Sequence, residues 1–152
     1  MTIRSAIPTV TNAALTMLTT QLARAGQNGQ PLDVFDGEPS SNVPDEFIII
    51  AGASNGHQSW GSIGTQRRNE TFDLDCMIRV WAGGDNQAPL RQRCFDLLLL
   101  VETAVDNDPF LSGSVNGTVQ FTANDASWGP LDAGRYCEVG FTLSVVTQLI
   151  AV

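Results

Sequence analysis

The apolar positions along this chain change period several times. Val10, Ala14, Met17, Leu18 and Leu22 recur at helical spacing after Pro8, and Gly26, Asn28-Gly29 and Pro31 end the run. This predicts a first helix with one buried face and a threonine-rich outer face. Leu32 to Phe35 reads as a short strand, broken by the turn residues Asp36-Gly37-Glu38-Pro39. Phe47-Ile48-Ile49-Ile50-Ala51 is apolar without interruption, as a strand covered on both faces should be. From residue 71 to 81 the period is two. Phe72, Leu74, Cys76, Ile78 and Val80 point one way; Asp73, Asp75, Met77 and Arg79 point the other.

Gly83-Gly84-Asp85-Asn86 stops that strand, and a second helix is predicted over about 89–105. Its stripe is Leu90, Cys94, Leu97, Leu98, Val101 and Val105. Leu97 to Val101 is apolar nearly all round, which requires cover on more than one side. Beyond Asp108-Pro109, Gly117 to Ala123 and Arg135 to Thr147 alternate again, the latter with Cys137, Val139, Phe141, Leu143 and Val145 inward.

Two stretches read as loops. Ala53 to Asn69 holds Gly56, Gly61 and Gly64 with His57, Trp60, Arg67 and Arg68 between them, and is expected to be a mobile extension that orders on assembly. Trp60 would anchor it. Asn124 to Gly134 is the other, around Trp128-Gly129-Pro130. The order is then α-β-β-β-α-β-β: an α+β fold, a mostly antiparallel sheet with two helices packed on one face, in a single domain over residues 1–152.

Charge narrows the function classes. The 152 residues carry 16 acids against 8 basic residues, a net −8, and every basic residue is arginine. Without lysine there is no P-loop. An acidic chain also lacks the basic footprint of a nucleic-acid binder, so DNA should slide past it rather than adhere. Cys76, Cys94 and Cys137 have no metal-knuckle spacing and lie on inward faces; they are expected to be buried, reduced thiols in a reducing compartment. Polar residues interrupt the first helix where a signal peptide would be apolar, and no run is long enough to span a membrane.

Catalytic chemistry finds no constellation. His57 is the lone histidine and has no ordered nucleophile or base partner. Asp73 with Asp75, and Asp106 with Asp108, lack the ligand spacing of a calcium loop. Gly52-Ala53-Ser54-Asn55-Gly56 follows a strand but has no lysine. No catalytic, cofactor-binding or metal residue is expected, and no cofactor.

The second helix is charged against its dipole: Arg91 and Arg93 open it, and Glu102 and Asp106 close it. Either Arg93 pairs locally with Asp96, three residues on, or these arginines meet acids of an adjacent subunit. The candidate subunit and partner interface is therefore Trp60, Arg67, Arg68, Arg91, Arg93, Leu99 and Leu100.

The order of elements resembles the tail terminator, or tail completion, proteins of long-tailed bacteriophages. The residues that carry the likeness are Val34-Phe35-Asp36-Gly37-Glu38-Pro39 after the leading helix, Phe47-Ile48-Ile49-Ile50, Glu70-Thr71-Phe72-Asp73-Leu74, Arg91-Gln92-Arg93-Cys94-Phe95-Asp96-Leu97-Leu98, Asp108-Pro109-Phe110-Leu111 and the closing Val145-Val146. The resemblance implies a non-enzymatic homo-hexameric ring in the virion, assembled in the host cytoplasm at the head-proximal end of the tail. Its partners would be the tail tube protein and the head-tail connector protein, with genomic DNA passing through the lumen unbound. A head-tail connector or stopper is the neighbouring reading. A small ligand-binding α+β domain is the distant one, and would show a concave pocket with convergent polar groups.

Overall fold

A computed structural model describes residues 5–60 and 67–150. It contains helix α1 (Ile7–Gln21), strands β1 (Asp33–Asp36), β2 (Glu46–Trp60) and β3 (Arg67–Gly83), helix α2 (Gln87–Asn107), and strands β4 (Gly117–Leu131) and β5 (Gly134–Ile150). The five strands form one sheet in the order β1-β2-β3-β5-β4. Only β1 runs parallel to its neighbour. The α+β architecture and its element order are those expected.

Both helices lie on one face of the sheet. α1 packs over β1 and β2, and α2 over β3, β5 and β4. Between them and the sheet is one core of Val10, Leu18, Ile48, Phe72, Leu74, Ile78, Leu97, Val101, Val139, Phe141 and Leu143, among others. The two-residue period of β3 and β5 puts every second side chain there.

Phe47 and Ile49 are equally buried but belong to the opposite face. There the Phe35 and Phe47 rings meet edge to face at 5.8 Å, and the Arg79 guanidinium lies 5.5 Å from the Phe47 ring. Arg79 in turn pairs with Glu138 at 2.9 Å and with Glu38 of the β1–β2 connection at 3.7 Å. The uninterrupted apolar run at 47–50 thus has its second cover locally. Ala51 is exposed, so that cover stops one residue short of the predicted strand end.

Both expected loops are corrected. β2 continues to Trp60 and β3 begins at Arg67, so 53–60 and 67–69 are paired strands of one hairpin. Residues 61–66, including Gly61 and Gly64, lie outside the described residues. The expected loop at 124–134 is the second half of β4, joined to β5 by a two-residue turn. Asp132 and Ala133 both take positive φ there, 47° and 58°. This is the tight hairpin geometry usually signalled by Asn-Gly, which explains why the sequence concealed it. A Cβ on Gly134 would collide with the Ala82 carbonyl and the Trp81 ring, so only glycine fits after that turn.

Candidate functional site

The sequence-predicted interface residues fall into three separate places. The first is the end of the β2–β3 hairpin. Trp60 is 65% exposed, and the Arg68 guanidinium lies over its ring at 4.5 Å. Arg68 also donates to Gln58 Oε1 at 3.3 Å, and Gln58 Nε2 donates to Glu70 Oε2 at 2.8 Å. Glu70 is buried, and its other oxygen accepts the Ala6 N–H at 2.6 Å, at the start of α1. Arg67 is exposed at the first position of β3. The described end of the hairpin thus carries a cation–aromatic pair on a polar network that reaches the start of the first helix.

The second place is the start of α2, where the structure separates two arginines that the sequence grouped. Arg91 lies over Trp128 of β4, 4.9 Å from the ring. Arg93 turns inward. Its Nε and Nη2 grip the two oxygens of Glu46 at 2.7 and 2.9 Å, and Nη2 also donates to the Ala25 carbonyl at 2.7 Å. Glu46 is buried at the start of β2 and also accepts from Gln27. The hydrogen bonds to Glu46 hold the Arg93 pKa above its ordinary value.

Arg93 thus finds its acid within its own subunit. It ties α2 to β2 and to the chain after α1, which is also why α2 tolerates it against its dipole. The local alternative is not made either, because Asp96 accepts from Gln92 instead. Arg93→Glu would set a second carboxylate against Glu46, so it tests the fold and not assembly.

The third place is the outer side of α2. Leu99 is 61% exposed and Leu100 41%, one turn from Phe95 at 41%. The inner side of the same helix, Leu90, Cys94, Leu97, Leu98, Val101 and Val105, is buried. Sequence reasoning missed Phe95, although its i, i+4 spacing to Leu99 was there to be read. It also missed Trp128, hidden in a supposed loop. Leu100 additionally lines an open cleft of about 280 Å³ between the helices, with Leu22, Arg24, Thr103 and Asn107. That is just under the ~300–1,000 Å³ of ordinary ligand pockets.

The three thiols are free and buried. Burial, with Asp75 alongside, pushes Cys76 up to about 12. Burial and the neighbouring Cys137 thiol push Cys94 up, and burial raises Cys137 despite its hydrogen bond from Cys94. Such thiols stay protonated and unreactive at neutral pH.

Among the described residues no three His, Cys, Asp or Glu side chains are grouped to hold a metal ion. Nor is any helix there long and apolar enough to cross a membrane. The chain matches no protein-family model and no curated protein sequence.

Proposed function

We propose that this chain is a structural protein of a long-tailed phage particle: a tail terminator whose copies close a ring on the end of the tail tube and meet the head-side connector. The observation that carries this reading is the outer ridge of α2. Phe95, Leu99 and Leu100 stand in water on a helix whose inner face is already filled. Contiguous exposed apolar side chains of this kind mark a surface meant for another protein. A ring gives every copy such a contact without leaving one over.

The open face of the sheet supports the second half of the reading. Along β3 and β5 it presents Asp73, Asp75 and Glu138 among Thr71, Thr142 and Ser144. Of its cations, Arg79 is already matched by Glu138 and Glu38, and Arg67 stands exposed at the far end of β3. Turned toward a lumen, the stretch around Asp73 and Asp75 repels phosphate and offers DNA little to grip.

Electron microscopy of the purified protein, alone and with tail tubes, tests the proposal. Sixfold rings seated on one end of the tube are expected. Light scattering across a salt series should show assembly retained or favoured as ionic strength rises, because copies of charge −8 repel one another. A protein that stays monomeric at every concentration and salt level, and ignores tubes, overturns the reading.

A further inference from the structure

The sheet has two open edges, and the register places them at the same height. β1 pairs only with Phe47–Ile50, which leaves the outer edge of β2 from Ala51 to Trp60 without a partner strand among the described residues. On the other side β4 has β5 on its inner edge only. Reading across the ladders, Gly52, Ala53 and Ser54 stand level with Asp75, Leu74 and Asp73 of β3. Those stand level with Thr142, Leu143 and Ser144 of β5, and these with Thr122, Phe121 and Gln120 of β4.

The polarity also fits. β2, β3, β5 and β4 alternate in direction, so a β4 placed beside the β2 of an identically oriented copy runs antiparallel to it. Cyclic symmetry requires such a contact: the same orientation for each copy, and no net rise from one to the next.

The edges are selective about where they are open. The Asn124–Asp125 bulge and Pro130 interrupt the later half of β4. The earlier half, Gly117–Ala123, is regular. Neither Gly117–Ala123 nor Ala51–Trp60 contains Asp, Glu, Lys or Arg, in a chain of net charge −8. Like-charge repulsion between copies is thus lowest along these two segments, and the charged residues that normally guard a free edge are missing. Bulges after Ile50 and Ser54 bend β2, and a sheet continued around a ring has to bend.

We infer that Gly117–Ala123 of one copy adds as an antiparallel strand to the Ala51–Trp60 edge of the next, so that the sheet runs unbroken around the ring. This rests on the ring reading above and names the contact that closes it; the α2 ridge would then flank the junction.

Paired cysteine substitutions test it. Ser54→Cys and Gln120→Cys sit level on the open face, and the three native thiols are buried, which keeps the background low. Under mild oxidation the double variant should give a ladder of disulfide-linked multimers on a non-reducing gel. Each single variant should stay below dimer or stop at it. A scan pairing Gly52, Ser54, His57 or Ser59 with Thr118, Gln120 or Thr122 allows for a shifted register. Rings seen by microscopy with no ladder from any pair overturn the edge contact and leave the ring reading intact. A ladder in open filaments supports the edge contact and counts against the closed ring. Neither rings nor ladders overturns both.

Discussion

Along β3, Phe72, Leu74, Cys76, Ile78 and Val80 are buried under the helices, while Thr71, Asp73, Asp75, Met77 and Arg79 between them stay partly exposed. The two faces of the sheet share a backbone and a hydrogen-bond ladder and differ only in the parity of the residue. One holds the molecule together; the other, beyond the covered patch of Phe35, Phe47 and Ile49, is mostly polar and left open. A strand thus allows one face to be specified for stability and the other for a partner or a passing polymer, with little interference between them. Helix α2 repeats the division with a different period. Leu97 faces the sheet, and Leu99, two residues on, faces water.

The sharpest way to break this comparison is to truncate both leucines. Leu97→Ala should destabilise by about 2–5 kcal/mol in denaturant unfolding, because it opens a cavity at a fully buried position. Leu99→Ala should change stability by no more than about 0.5 kcal/mol yet weaken ring assembly. If the two cost the same, the division of faces is wrong.

The two ion-pair systems give the next contrast. Arg93→Ala leaves Glu46 buried with only Gln27 as a side-chain partner and should cost roughly 2–4 kcal/mol. That is below the ~3–5 kcal/mol of a fully buried pair, because the Arg93 side chain is 32% exposed. Arg79→Ala, on the open face, should cost at most about 1 kcal/mol, much of it lost packing against Phe47.

The thiols add a pH test of the closed face. Cys76 has its pKa raised from 9.0 to about 12 in the folded state. The folded protein then holds a proton that the unfolded chain has released, so stability is complete below pH 9 and falls as pH rises through that window. The slope is about 1.4 kcal/mol per pH unit for each such thiol. Urea midpoints should be flat to about pH 9 and decline above it, and Cys76→Ala should make the decline shallower. An unchanged slope would place Cys76 in contact with solvent.

Most of the closed face was legible because burial imposes a period. All ten residues that the sequence marks most clearly as interior, Leu18, Leu22, Ile49, Phe72, Leu74, Ile78, Leu97, Val101, Phe141 and Leu143, are buried. Ile49 alone of these sits outside the main cluster, since a continuous apolar run does not say which face a residue joins. The distal half of β2 and the later half of β4 were illegible for the opposite reason. They are edge segments with exposed residues on both faces, and Ser, Asn and Gly in such positions carry no alternation to read. The Arg93–Glu46 pair was hidden by sequence distance: nothing local says that a strand's first residue will lie under a helix 47 positions later. Leu99 and Leu100 on the outer ridge of α2 were visible in advance, because a helix apolar all round has too many faces for one core; Phe95 was not.

One feature bears on the order in which this chain takes shape. The first turn of α1 has no acidic residue and Ala6 offers no side-chain cap; the Ala6 N–H itself donates to Glu70, 64 residues away on β3. The Ile7 N–H is met locally by Ser5 Oγ at 3.1 Å, but the Ala6 N–H waits for a strand that is synthesised much later. Pro8 and Ser5 mark the start of α1 locally, and residue 70 then fixes that start to the hairpin that bears Trp60. Hydrogen exchange at the Ala6 amide should accordingly follow the opening of the β2–β3 pairing, while that at Ile7 follows the fraying of the helix end.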